Sequence, residues 1–160
     1  MPNPEPDRKY AIGRCPFGYR LEPIIAGHCA HGASKTAGQR LEIDPQMARI
    51  VVRIFECYAY HGLGLRTLAD HLNRGQHPSP RGDKWAPSAI LEILRNPIYR
   101  GERIWNRSYW ANDHETTPKL RRRRSEREWA RLREDAWRIV SDELWYAAQD
   151  AHAARAPRAG

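Results

Sequence analysis

The sequence predicts an α+β domain: a helical core that contains a helix-turn-helix, with a small antiparallel sheet beside it. Three observations predict it. Apolar residues recur at helical spacing in three successive stretches between residues 45 and 95. Alternating segments bracket them, at 17–22 and 40–44 before and at 99–107 and 136–140 after. A proline-stiffened basic loop, "HPSPRGDKW" (77–85), separates the second stretch from the third. The chain has 160 residues, 41% apolar and 29% charged. That suits one domain with a core of its own.

Residues 1–12 are rich in proline and charge and are expected to form a loose tail. They lack the apolar run of a signal peptide. "FGYRLE" (17–22) alternates and predicts a strand. "PIIAGHCAHGASKTAGQ" (23–39) is rich in Gly, Ala and Ser and predicts a long loop. "RLEID" (40–44) alternates again and is expected to pair with the first strand as a hairpin. Asp44 then suits an N-cap and Pro45 the first turn of a helix. Met47, Ile50, Val51, Ile54, Phe55 and Tyr58 share one face of it. Gly62 is available for a left-handed stop.

A second helix is predicted over 63–76, with Leu65, Leu68, Ala69 and Leu72 as its buried stripe and Gly75 at its end. A third starts at Pro87, buries Ile90, Leu91, Ile93 and Leu94, and stops at Asn96-Pro97, because the residue before proline avoids helical backbone. "YRGERIWNR" (99–107) predicts a strand. Residues 110–135 are polar and strongly charged, a candidate mobile insertion. "AWRIV" (136–140) predicts a last strand. Ser141 caps a final helix through Leu144, Trp145 and Ala148, and 151–160 are expected to fray. The domain proper is therefore expected over 13–150.

The net charge is +8. It is uneven: residues 45–112 hold ten basic against five acidic side chains. Of the 27 basic residues 23 are Arg, the side chain that forks onto phosphate and guanine. Three cysteines at irregular spacing exclude a disulfide framework. Cys15, His28, Cys29 and His31 match no usual zinc spacing, so no metal and no cofactor are expected. No P-loop, zincin or nucleophile-elbow motif is present. Asp142 and Glu143 sit where a helix N-terminus favours carboxylates, which needs no catalytic role.

Two short helices in series, the second led by a basic loop, form a helix-turn-helix arrangement, although the connection is longer than the usual three or four residues. The stretches "GRCPFGYRLE" and "IDP", then "RIFECY", "LRTLADHLNRG", "PSPRGDKW" and "ILRNPIYRG", occur in an order and spacing that resemble the recombinase domain of the large serine recombinases, or serine integrases. The resemblance covers roughly residues 13–107, and "SEREW" with "WRIVSDELW" resembles the tail of the same domain. It implies binding of double-stranded DNA at attachment half-sites, in a cytoplasmic, nucleoid-associated setting. In that family a catalytic domain supplies a serine nucleophile and a zinc ribbon follows the recombinase domain. No serine of this chain stands in the family's catalytic context. The chain is therefore expected to be the DNA-reading module, a monomer by itself, and not to cut DNA.

Ser79, Arg81 and Lys84 in the loop are candidates for phosphate or base-edge contact, with Arg81 foremost; Asp83 offers Arg81 a local ion pair instead. Ser88, Glu92 and Arg95 form the exposed face of the third helix. Glu accepts from cytosine N4, and Arg clasps guanine O6 and N7. Arg95 equally suits a helix C-terminus. Trp85 reads as a core anchor for the loop and Asn96 as a turn residue. Asn106 and Arg107 follow a strand and are placed to meet phosphate. "KLRRRRSER" (119–127), with Arg121, Arg122, Arg123 and Arg124, reads as a phosphate-tracking segment or, alternatively, a solvated one blunted by the glutamates after it. The remaining tryptophans are expected in packing. Competing readings are a stand-alone DNA-binding regulator, an inactive mobile-element remnant, and a basic module for a protein partner.

Overall fold

The computed structural model describes residues 14–28, 32, 34–111 and 120–156. In order these form β1 (Tyr19–His28), β2 (Ser34–Ile43), α1 (Pro45–Ala59), α2 (Leu65–Arg74), α3 (Pro87–Arg95), β3 (Arg100–Trp105), β4 (Ser108–Ala111), β5 (Leu120–Arg123), β6 (Ala130–Arg138) and α4 (Asp142–Arg155). Mixed helix with small antiparallel sheets is the class predicted. The strands make three separate two-stranded ribbons, β1–β2, β3–β6 and β4–β5, among the described residues. Among the described residues, no helix is long and apolar enough to cross a membrane.

The helix boundaries follow the local chemistry. Asp44 accepts from the backbone N–H of Gln46 and Met47 at 3.0 and 3.2 Å, opening α1 as its sequence predicts. Gly62 lies at φ +67°, the left-handed geometry expected beyond the helix end. Ser141 accepts from Leu144 N at 3.1 Å at the start of α4. That helix continues through Arg155, past the expected frayed end at 151.

The core gathers one stripe from each helix. Val51, Ile54 and Phe55 of α1, Leu68 and Leu72 of α2, Ile90 of α3 and Ala148 of α4 are at most 1% exposed. Burial of each large apolar side chain contributes about 1.5–3 kcal/mol. Leu65 and Leu91, both expected inside, are only half-buried at the edges of their stripes. Tyr99 ties the helices to the strands. Its hydroxyl donates to the Phe17 carbonyl at 2.8 Å, and its own carbonyl accepts from Ile139 and Val140, each at 2.9 Å.

Two expectations need correction. Residues 23–39, predicted as a loop, are largely strand: β1 and β2 pair from Tyr19↔Ile43 out to His28↔Ser34, with slips around Ile25. Once 19–22 and 40–43 fix the register, the backbone ladder extends through small residues that carry no apolar alternation. Within 110–135, the described residues include strand pairing that the sequence does not predict. β5 runs against β4, and β6 begins at Ala130, well ahead of the predicted 136. Stacked arginines replace apolar burial there: Arg124 lies 4.8 Å from the Tyr109 ring, and Arg107 and Arg131 lie 5.1 and 5.9 Å from Trp129.

Gly101 marks the slip between β3 and β6. Its φ is +84°, and a Cβ there would stand 2.7 Å from the Glu134 carbonyl oxygen. Both the backbone conformation and the close approach exclude a side chain. Gly101→Ala is expected to cost on the order of 2–3 kcal/mol. Thermal unfolding would register that as a clear fall in Tm. An unchanged Tm would mean that the slip is not built as described.

Candidate nucleic-acid interface

The basic loop is held by a clamp at its far end. Asn73, in the last turn of α2, accepts from Trp85 N at 2.7 Å and donates to the Trp85 carbonyl at 3.0 Å. The indole, 3% exposed, donates from Nε1 to the His77 carbonyl at 3.1 Å and meets the Phe17 ring edge-on at 5.1 Å. Trp85 is thus the core anchor that its sequence context predicts. It joins the two ends of the loop, so residues 78–84 project from a fixed base. Arg81 and Lys84 are exposed on that projection. The alternative Arg81–Asp83 ion pair is not among the ion pairs of the described residues. Ser79 behaves differently: its Oγ is buried and has no hydrogen-bond partner.

On α3, Ile90, Ile93 and Leu94 face the core, which leaves Ser88, Glu92 and Arg95 exposed on one outer stripe. Arg95 reaches across to α4, where its Nη2 lies 2.9 Å from Nε2 of His152. Asn96 is a turn residue, its Oδ1 accepting from Ile98 N at 3.1 Å.

Three adjoining depressions run along this side of the domain. The first, about 190 Å³, is bordered by Arg14, Pro80, Arg81 and Glu92. The second, about 560 Å³, shares Arg14 and Glu92 with it and adds Arg95, Arg103 and Arg107. The third, about 360 Å³, shares Arg107 and adds Ser108, Arg121, Arg123 and Trp129. Shared walls link them in series from the loop across α3 to the β4–β5 ribbon, Arg14 and Glu92 between the first two and Arg107 between the last two. Among the described residues, these walls carry seven arginines and one carboxylate, Glu92.

This path unites Arg81, Glu92, Arg95, Arg107, Arg121 and Arg123, which the sequence singles out from segments far apart. Lys84 and Ser88 are exposed nearby on the loop and helix without lining it. Arg121 donates from Nε to Ser108 Oγ at 2.8 Å. Pairing places Arg122 opposite Tyr109, hence on the other face of the ribbon from Arg121 and Arg123. Arg124 is half-buried, stacked on Tyr109 and bonded to Glu128 at 3.5 Å. Asn106, at φ +60°, donates to the Glu128 carbonyl at 3.1 Å and serves the turn after β3. Arg14 and Arg103 were not singled out from sequence. Arg14 takes its place in the groove through the fold, which brings it to the Pro80 carbonyl and beside Glu92.

Other arginines are committed within the fold. Arg100 lies against the rings of both Trp145 and Tyr146, 4.9 and 5.2 Å away, and bonds to Glu102, which Arg131 also approaches at 3.4 Å. Burial works against the Glu102 carboxylate, but hydrogen bonding and charge from Arg100, then Arg131, hold it below its ordinary range. The hydrogen bond from Arg133, at 2.6 Å, likewise lowers Asp142, with Arg138 at 3.5 Å adding charge. These arginines are held in ion pairs away from the groove. Among the described residues no cluster of His, Cys, Asp or Glu suits a metal ion. Cys29 and His31 lie outside them, as does Lys119.

Compared with known families, the sequence matches the model of the family described as Recombinase over residues 45–155. No curated protein matches it.

Proposed function

The chain belongs to the Recombinase family, which points to a role in site-specific recombination and to interaction with DNA; from that premise we propose that it is a sequence-specific reader of duplex DNA, the recombinase domain of a serine recombinase. The observation that carries the proposal is the arginine-lined path from the 77–85 loop across α3 to the β4–β5 ribbon. Duplex DNA presents regularly spaced phosphates beside base edges, and a path with one base-reading helix and flanking arginines fits both.

In this reading α2 and α3 form the helix-turn-helix, the long connection acting as a wing. Arg81 and Lys84, with Ser88, Glu92 and Arg95, meet the major groove and its rim. Ser79, with its Oγ enclosed, is not counted among the direct contacts. Arg107, Arg121 and Arg123 hold phosphates further along. The functional unit spans about residues 13–150 together with the rest of α4. Strand cleavage is assigned to a catalytic serine domain of the recombinase, because no serine of this chain stands in the catalytic context of the family it resembles; Ser125 and Ser141 cap helical turns and Ser108 receives Arg121.

Repeated selection from random duplexes at two salt concentrations tests this. One sequence is expected to be enriched, and Arg81→Ala is expected to weaken its binding by about 1–3 kcal/mol while relaxing preference at one position. Steep salt dependence without enrichment would reduce the chain to a phosphate binder. Absence of binding at either salt would favour an acidic protein partner instead.

A further inference from the structure

We propose that His152 is a positioning residue for base specificity: it draws Arg95 away from Glu92, so that the two side chains present separate contacts to DNA. The inference rests on the DNA reading above and refines it.

Glu92 and Arg95 are exposed and three residues apart on α3, a spacing at which a carboxylate and a guanidinium pair on a helix surface. They do not pair. Among the described residues Glu92 has no ion-pair partner, and Arg95 donates instead to Nε2 of His152 at 2.9 Å. A guanidinium only donates, so Nε2 supplies the lone pair and Nδ1 carries the hydrogen. That N–H meets Tyr58 Oη at 3.1 Å. Tyr58 is 2% exposed, with the Arg155 guanidinium 4.3 Å from its ring centre. The relay from Tyr58 through His152 to Arg95 is thus fixed at its buried end. Gln149, one turn before His152, donates to the Leu94 carbonyl at 2.6 Å and fixes α4 against the end of α3.

The consequence falls on Glu92. It stays an unneutralised carboxylate in a groove whose other charged walls are Arg14, Arg95, Arg103 and Arg107. Such a group repels phosphate and accepts from an exocyclic base amine, cytosine N4 above all. It weakens binding to every duplex and recovers that loss only where a matching base stands, which is discrimination by penalty. Were Arg95 to fold back onto Glu92, the groove would hold a neutral pair and both readers would be lost.

The test compares His152→Ala, His152→Gln, Glu92→Gln and the double variant His152→Ala with Glu92→Gln, on the selected duplex and its single-base variants. Alanine suits a helix interior, and urea unfolding would show that each variant folds. His152→Ala is expected to narrow the preference at one base position by about tenfold, within the range of a single base-edge contact. Affinity for random duplex should change little. His152→Gln, whose amide oxygen can accept from Arg95, should restore the preference. In the Glu92→Gln background, His152→Ala should have no further effect there, a coupling that a merely structural histidine would not produce. Undiminished preference in His152→Ala, or losses that add in the double variant, would overturn the inference alone. A parent chain that binds every duplex alike would remove the DNA reading and this inference together.

Discussion

Replacing Trp85 by alanine is expected to remove about 3–5 kcal/mol of folding stability, the range for deleting a large buried aromatic. Against the roughly 5–15 kcal/mol that holds a typical domain together, such a loss leaves a marginal fold. The indole fills the space between Phe17 and the loop and is almost fully enclosed. Its removal leaves a cavity and orphans the His77 carbonyl. The Asn73 clamp uses only the backbone of residue 85 and would survive in part. Trp85→Phe keeps most of the apolar contact and loses the one hydrogen bond, so a loss of about 1–2 kcal/mol is expected. Urea unfolding measures both. DNA binding of Trp85→Ala, taken where it is still folded, should also fall, because an unlatched loop must be ordered anew on binding. A loss below about 1 kcal/mol for Trp85→Ala would mean that the indole does not anchor the loop.

The same residue shows what the sequence makes legible. A tryptophan at the mouth of a helix, after a proline-rich loop, has few places to go but inward. The helices are legible for a related reason: the first three carry an apolar stripe at the helical period, and Asp44, Pro45, Pro87 and Ser141 mark where helices begin. The length of the β1–β2 hairpin is not legible, since Gly, Ala and Ser in 23–39 give no period. Nor is the β4–β5 ribbon, held by backbone pairing and by arginine stacked on aromatic rings, which in sequence reads as a solvated charge run.

The groove divides along the same line. Glu92 and Arg95 share an outer face because the helical period fixes it. Arg14 joins them only through a fold that brings residues far apart in sequence together, and no local pattern reports that. The turning of Arg95 towards His152, across 57 residues, is likewise a tertiary event. Sequence offered both a groove role and a helix-end role for Arg95. The geometry adds a third determinant, the imidazole it meets.

The triple substitution of Arg107, Arg121 and Arg123 by alanine is expected to weaken binding to every duplex on the order of several hundredfold at about 0.1 M salt. Each neutralised phosphate contributes a slope of about 0.9 in log affinity against log salt, or about eightfold at that concentration relative to 1 M. Three lost contacts should therefore flatten the salt slope by about 2.7. The effect should be uniform across sequences, since phosphate contacts position a protein without reading bases. Stability should change far less: Arg121 and Arg123 are exposed, and Arg107 contributes a stacking contact on Trp129 worth about 0.5–1 kcal/mol. Arg122→Ala is the control, because strand pairing turns that residue to the opposite face of the ribbon. If Arg122→Ala weakened binding as much as either neighbour, the ribbon would be attracting DNA by net charge and not presenting one face to it. If the triple variant instead kept the parental salt slope, the phosphate path would end at α3, and the β4–β5 ribbon would belong to a contact other than DNA.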